Sequence, residues 1–351
     1  MKIAFLLYNL AMGGSERKVV KLCNHFNKKY KVSLIVVGDD LGLKSELEPG
    51  VDCISLKDMY FFWIWGLIDC IAIRKDIDII FCMNPKLSFY SSLISTFLKS
   101  SLRIISCINT SRIYKKRHSL LTKYVYSHFI NKTNIVFGAK VQQEEWKAYY
   151  NVRSRDSHVV YNGVDSEYFS KKGSYAESGR IRITTVGRLS PEKGHINVLK
   201  ALTRESCRHV TYSVVGSGPC LNELKAFAEE NSLAVVFYGS LDDVRPILEQ
   251  TDVFILPSIA VETFSNAVLE AMAYALPCVI TDIGGAREMI SNGDTGIIIP
   301  PGSVSEIENA ISRLSTSQER ARLGKNAQQF VRDYLSDRIM FRNYQALVEE
   351  L

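Results

Sequence analysis

The sequence predicts an α/β protein built from two parallel-sheet domains. Three observations carry this. Short apolar runs of strand length alternate with longer amphipathic stretches. The alternation stops once, near the middle of the 351 residues, and then restarts. The strand-like runs are apolar throughout rather than alternating, as expected of strands buried on both faces by helices.

In the first half, Ile3–Leu7, Val32–Val37, Ile77–Phe81, Arg103–Ser106, Asn134–Phe137 and His158–Val160 read as strands. Between them Glu16–Phe26, Leu87–Leu98, Leu120–Phe129 and Gln142–Tyr149 carry helical spacing. The segment Asp165–Arg180 is polar, lacks either period and holds two glycines, so the interdomain linker is placed there. Strands follow at Ile181–Val186, Val210–Val215, Ala234–Tyr238, Val253–Leu256, Cys278–Thr281 and Ile297–Ile299, with helices near His195–Leu202, Leu221–Glu230 and Ser265–Tyr274. Charge-rich helical sequence closes the chain. Each half is thus a Rossmann-like domain, and ligands of such sheets gather beyond the carboxyl ends of the strands. With two such domains, the cleft between them is the expected site.

Composition narrows the class. Hydrophobic residues make up 46% and charged residues 23%, as in ordinary globular proteins. The net charge of +6 is uneven. Residues 1–170 hold 24 Lys and Arg against 15 Asp and Glu, and residues 171–351 hold 19 against 22. A basic half joined to a mildly acidic one points to an anionic ligand or surface on the first half. None of the eight cysteines stands in a zinc-like spacing, and they read as reduced core residues of a cytoplasmic protein. Met1-Lys2 leads straight into strand-length sequence, so no leader peptide is expected. The aromatic stretch Met59–Ile73 contains Asp69 and is shorter than the roughly 18 residues a spanning helix needs.

Four loops carry chemistry. Tyr8–Arg17 follows the first strand, and its Gly13-Gly14 pair opens a helix, where free N–H groups can hold an anion; a plain turn uses the same residues. In Thr185-Val-Gly-Arg-Leu-Ser-Pro-Glu-Lys-Gly194, Arg188 and Lys193 place two cations at a strand's carboxyl end, suited to a phosphate. Gly216 opens another strand-end turn, Gly216-Ser-Gly-Pro219, for which a purely structural role is equally open. Most informative is Leu256–Pro277. Glu262 sits in the strand-to-helix loop, and Glu270 lies about two turns on among Ala267, Val268, Leu269, Ala271 and Met272. At ~1.5 Å per residue the two carboxylates are at most roughly 12 Å apart. That is about the span from sugar to ribose in a nucleotide sugar, and a ribose diol would satisfy a carboxylate in such apolar surroundings. Asp76-Ile77-Asp78 resembles a metal-binding DxD but precedes a strand, on the wrong side for a site.

The ordered set Gly13-Gly-Ser-Glu16, Val160-Tyr-Asn-Gly-Val-Asp165 with Phe169, the Gly187–Gly194 loop, Gly216–Pro219, Glu262 with Glu270, and the Gly284-Gly285 loop resembles the retaining family 4 glycosyltransferases of GT-B fold, over nearly the whole chain. The resemblance implies domains at 1–168 (acceptor side) and 169–330 (nucleotide-sugar side), with a terminal helix, 331–351, returning to the first. It implies that Arg188 and Lys193 bind the donor diphosphate, Glu262 the sugar hydroxyls and Glu270 the ribose. Amides of Thr263, Phe264 and Ser265 would face sugar and phosphate, and Gly14 and Gly216 would line the donor. Related enzymes often carry a His after the strand that here ends Ile105-Ser-Cys-Ile108; Asn109 stands in its place, as an acceptor-side residue, and His118 lies further along. The expected activity is retaining transfer of a hexosyl or N-acetylhexosaminyl group from a nucleotide sugar, a UDP-sugar foremost, without metal or other cofactor. The expected acceptor is a lipid-diphosphate-linked glycan in surface polysaccharide or O-antigen assembly. The basic run Arg112–Arg117 and the aromatics Tyr60–Trp65 fit peripheral attachment to the inner face of the cytoplasmic membrane, and no nucleic-acid partner is expected. A nucleotide-sugar epimerase and a non-catalytic glycan-binding scaffold are the alternatives.

Overall fold

A computed structural model describes residues 1–11, 13–59, 63–69, 77–98, 101–110, 116–153, 156–169 and 180–350. Two compact units result: Met1–Tyr161 with Met340–Leu351, and Asn162–Ile339.

The first unit holds seven parallel strands: β1 (Lys2–Leu7), β2 (Lys31–Val36), β3 (Asp52–Ser55), β4 (Ile79–Cys82), β5 (Arg103–Ile108), β6 (Asn134–Phe137) and β7 (Ser157–Val159). Their order is β3-β2-β1-β4-β5-β6-β7. The pleat sorts alternate residues of β1 into two cores. Ile3, Phe5 and Leu7 pack on one face with Val19, Leu22, Cys23 and Phe26 of the Gly14–Asn27 helix. Ala4 and Leu6 pack on the other with Leu87 and Ile94 of the Pro85–Phe97 helix. That second helix begins as its sequence directs: Asn84 accepts the Lys86 N–H through its side chain, and Pro85 occupies the first turn, where an N–H is not missed. The terminal helix Asp337–Glu349 contributes Met340, Tyr344, Leu347 and Val348 to the first core, Tyr344 edge-on to Phe81. Full burial of such side chains stabilises by about 1.5–3 kcal/mol each as an upper bound.

The second unit holds β8 (Ile181–Val186), β9 (Val210–Val215), β10 (Val235–Gly239), β11 (Val253–Leu256), β12 (Cys278–Thr281) and β13 (Gly296–Ile299), in the order β10-β9-β8-β11-β12-β13. All pairs are parallel. Arg182 grips the buried carboxylate of Asp252 through Nε and Nη2, at 3.0 and 3.1 Å, tying the amino ends of β8 and β11. Near their carboxyl ends the Tyr212 hydroxyl donates to Thr185 Oγ1, which donates to the Ile255 carbonyl, at 2.8 and 2.6 Å. This buried, satisfied chain fixes three strands below the loops that matter.

In each sheet the winding reverses at one place. It lies between β1 and β4 in the first unit and between β8 and β11 in the second. Loops diverge there and leave a crevice at the strands' carboxyl ends.

Short elements departed most from expectation. β3 was not expected: Asp52-Cys-Ile-Ser is four residues long at the sheet edge, with only two apolar side chains. Leu120–Phe129 is not one helix. It divides into Lys116–Leu121, a π-helical turn Thr122–Tyr126, and Ser127–Ile130, with the Thr122 and Ser127 hydroxyls bonded back to carbonyls four residues earlier. Asp78 precedes β4 and accepts the Lys2 N–H, on the amino side of the sheet. Asp76, Cys70, Tyr60–Phe62 and Ser111–Lys115 lie outside the described residues.

Candidate functional site

The winding reversal of the second unit collects most of the residues singled out from sequence. The loop after β8 is Gly187–Gly194 and carries Arg188 and Lys193. The loop after β11 runs from Pro257 to Ser265 and carries Glu262. The two loops are bonded to each other through backbone: the Ile259 N–H donates to the Glu192 carbonyl at 2.8 Å. Their side chains meet as well. Lys193 Nζ lies 2.6 Å from Glu262 Oε2, with about a fifth of each side chain exposed. Ser258 Oγ donates to the same oxygen at 3.2 Å, and its own carbonyl accepts from the Thr281 hydroxyl at 2.6 Å. An ammonium has three N–H donors, so the pair leaves two for a ligand's oxygens.

Arg188 is exposed on the same loop. Its charge and that of Lys193 help hold the Glu192 carboxyl below the usual range, after the larger effect of hydrogen bonds from Ser190 and the backbone. Next on the chain, His195 is 3% exposed and neither ring nitrogen has a partner among the described residues. Burial, with Lys193 adding to it, lowers its pKa to about 4.

Two glycines let these loops close up. Gly216 has φ of +138°, and a Cβ there would lie 1.9 Å from the Gly187 carbonyl oxygen. Gly284 has φ of +56°, and its Cβ would lie 1.8 Å from the Glu262 carbonyl oxygen. Each admits only glycine without backbone movement. The Gly285 N–H donates to the Thr263 carbonyl at 2.8 Å, so the Gly284-Gly285 turn braces the Glu262 loop from behind.

Thr263, Phe264 and Ser265 lead into the helix Asn266–Ala273. Phe264 is buried, and Glu262, Thr263 and Ser265 line a small pocket with Thr281 and Ala286. Ser265 stands at the N-cap without a side-chain cap bond. The helix dipole favours an anion at this end. Asn162 braces this start by donating through Nδ2 to Asn266 Oδ1 and the Phe264 carbonyl, at 2.9 and 3.3 Å. Glu270 is half-buried within the helix, flanked by buried Leu269 and Ala271.

Gly14 and Asn109 belong to the first unit. Gly14 begins the helix after β1. Asn109 follows β5 and is half-buried; its Oδ1 accepts from Lys18 Nζ at 3.2 Å, and its Nδ2 donates to the Met83 carbonyl at 3.2 Å. The structure thus brings Lys193 and Glu262 into direct contact and places Arg188 on the Lys193 loop. Gly14 and Asn109 stand with the first sheet.

Sequence reasoning missed Ser258, Asn162 and Lys18. Lys18 carried a signal: buried Lys18, Val19, Leu22, Cys23 and Phe26 share one helical stripe, so a lysine stood on an apolar face. Asn162 stood within the Val160–Asp165 motif but with no role attached, and Ser258 carried no signal, because what each does depends on contacts between segments distant in the chain.

Two family models match the chain. Residues 12–168 match Glycosyltransferase Family 4, and residues 167–330 match Glycosyl transferases group 1. A curated relative from Campylobacter jejuni, named N-acetylgalactosamine-N,N'-diacetylbacillosaminyl-diphospho-undecaprenol 4-alpha-N-acetylgalactosaminyltransferase, is 23% identical over 85% of this chain and 86% of its own. One from Escherichia coli, named UDP-Gal:alpha-D-GlcNAc-diphosphoundecaprenol alpha-1,3-galactosyltransferase, is 29% identical over 48% of this chain and 47% of its own. Among solved structures, Anabaena Alr3699/HepE in complex with UDP superposes with a TM-score of 0.87 at 18% identity, covering all of both chains. The lipopolysaccharide outer core galactosyltransferase WaaB gives 0.76 at 19%, again over both whole chains. The fold is the two-domain α/β fold of GT-B glycosyltransferases.

Proposed function

We propose that this chain, a GT-B glycosyltransferase similar to family 4, moves a hexose or N-acetylhexosamine from a UDP-sugar to a lipid-diphosphate-linked glycan with retention at the anomeric carbon. The observation that carries the reading is the Lys193–Glu262 contact at the winding reversal of the second sheet, with Arg188 exposed on the same loop. Cations and a carboxylate held side by side suit a donor with an anionic end and a polyhydroxyl end.

In this reading Arg188, Lys193 and the first-turn amides after Ser265 take up the charge that develops on the departing diphosphate. Glu262 is held by Lys193 and Ser258 so that its second oxygen accepts from a sugar hydroxyl, and Glu270 accepts from the ribose diol. Gly216 keeps the Gly187 loop close. No side chain is assigned as a covalent nucleophile. The acceptor oxygen attacks from the face the diphosphate leaves, and a departing phosphate oxygen takes its proton, so the proton moves without a separate base. With two cations and helix amides on the diphosphate, no metal ion is needed.

The donor class is supported by the UDP named with Anabaena HepE, and the acceptor class by the diphospho-undecaprenol substrates named for the two curated relatives. A lipid-borne acceptor calls for a peripheral membrane position on the cytoplasmic side. No helix among the described residues is long and apolar enough to cross a membrane. Phe97, Leu120 and Tyr124 are exposed on helical segments of the first unit, and Lys123 stands beside Tyr124 in the chain. Apolar and basic groups together favour an anionic lipid surface. The test is mass spectrometry of products from a panel of nucleotide sugars with a polyprenyl-diphosphate N-acetylglucosamine acceptor. A mass increase of one sugar on the acceptor, with the α-linkage of the donor kept, is expected; an isomerised free sugar without acceptor product would refute the reading.

A further inference from the structure

The second unit holds a cavity that the proposed reaction has not used. It lies against the Glu262 loop and has a volume of about 10 Å³, room for one water or one methyl group. Every residue lining it belongs to that unit. Its two ends differ. Leu256, Val268, Ile280, Ala286 and Met289 are at most 4% exposed and form the deep end, where no side chain offers an N–H or O–H. Glu262, Thr263 and Ser265 are only half-buried and stand at the mouth.

These ends restrict the occupant. A buried water needs several polar partners, and the deep end supplies none from its side chains. Polar groups around the mouth are largely committed. The Thr281 hydroxyl donates to the Ser258 carbonyl at 2.6 Å, and Glu262 Oε2 accepts from Lys193 at 2.6 Å. Ser265 is different. It holds the N-cap of the Asn266–Ala273 helix, where a serine hydroxyl ordinarily accepts from the first turn, yet its side chain makes no cap bond. A methyl group in the deep end, joined to an amide at the mouth, suits both ends: the methyl leaves water for apolar walls, and the amide meets the Ser265 hydroxyl. An acetamido group is that combination.

We propose that this cavity takes the acetyl methyl of a 2-acetamido sugar, so that the donor is a UDP-N-acetylhexosamine rather than a UDP-hexose. The inference rests on the reading above, in which Glu262 accepts from a hydroxyl of the donor sugar, and Glu262 borders the cavity. From a sugar seated there, the acetamido group carries its methyl outward from the ring to the deep end. A plain hexose has only a hydroxyl at the same carbon, too short to reach the apolar walls. One methyl in an apolar pocket is worth about 10-fold or more in discrimination.

The experiment is titration calorimetry of wild type and Ala286→Val, which adds methyl groups at the cavity wall. UDP-N-acetylgalactosamine, UDP-galactose, UDP-N-acetylglucosamine, UDP-glucose and UDP alone are the ligands. What is read is the affinity of each N-acetyl donor divided by that of its hexose counterpart, a ratio in which any general weakening of the variant cancels. Wild type is expected to give a ratio of about 10 or more for at least one pair, and Ala286→Val to bring that ratio down to about 3 or less, because the filled cavity no longer admits the methyl. A wild-type ratio short of this for both pairs overturns the inference alone, as does a ratio that Ala286→Val leaves unchanged. A wild-type chain that binds neither UDP nor any of the four UDP-sugars overturns the functional reading and the inference with it. Should Ala286→Val not fold, Val268→Ile, which lengthens a side chain of the deep end, takes the same measurements.

Discussion

Replacing Lys193 and Glu262 singly and together separates fold from chemistry at the site. The two groups share a 2.6 Å contact, each about a fifth exposed. In Lys193→Ala the Glu262 carboxylate keeps only the Ser258 hydroxyl at 3.2 Å among its described side-chain partners. A carboxylate stripped of its charged partner costs on the order of 1–3 kcal/mol, toward the lower end here because solvent reaches it. Glu262→Gln keeps the shape and an oxygen for Lys193, so it costs about 1 kcal/mol, the difference between a charged and a neutral hydrogen bond. The double variant leaves no unpaired charge and should recover stability relative to Lys193→Ala. Turnover should not recover. Loss of one cation from a developing diphosphate charge costs ~10², about 2.7 kcal/mol at roughly 1.4 kcal/mol per decade. On the proposed reading, in which Glu262 faces the sugar, Glu262→Gln should lower kcat in its own right, since such a contact tightens as the sugar gains positive charge. The assay is urea unfolding alongside kcat for all four proteins. If Lys193→Ala loses stability yet keeps kcat within about 3-fold, Lys193 is a tether for the Glu262 loop and the diphosphate assignment is wrong.

If Glu270 holds the ribose as proposed, Glu270→Gln should mainly raise donor KM, by the equivalent of about 1–3 kcal/mol with kcat little changed, because a ribose is bonded alike in ground and transition states; a collapsed kcat at unchanged KM would reverse the donor's direction. Activity should persist in excess chelator, and complete loss restored by Mg²⁺ or Mn²⁺ would refute the metal-free reading. A fraction of the protein should sediment with anionic vesicles and be released by salt, since surface attraction is screened over ~8–10 Å at ordinary ionic strength, and changing Lys115, Lys116 and Arg117 to Ser should weaken it; no binding at low salt would count against the membrane position. Unfolding free energy should fall as pH drops from about 6.5 toward 4, by up to about 3 kcal/mol, because His195 is held neutral down to about 4 when folded while the unfolded chain takes up its proton near 6.5. That contribution is fully present above pH 6.5, and His195→Gln should flatten the slope in pH-dependent denaturation curves.

What could be read from sequence followed what each feature depends on. Strands β8, β9, β11 and β12 fall where the apolar runs placed them, to the residue, because a strand buried on both faces needs a continuous apolar run and polar loop residues end it. The edge strand β3 needs no such run, since half its surroundings are solvent or loop, so Asp52–Ser55 left no pattern. The broken helix at Thr122–Tyr126 escaped for another reason: its hydroxyls compete with the backbone ladder, and apolar spacing is blind to that. In the second unit, strand ends and glycines reveal which loops stand at carboxyl ends, and Arg188, Lys193 and Glu262 do lie on such loops, after β8 and β11. Such features do not reveal partners. That Lys193 reaches Glu262, 69 residues on, follows from β8 and β11 being neighbours across a winding reversal, a property of strand order and not of either loop's composition. Lys18 stands between these cases. Its place on an apolar stripe was readable, and a charge in such a place is a question the sequence poses; only the Asn109 amide, 91 residues away, answers it.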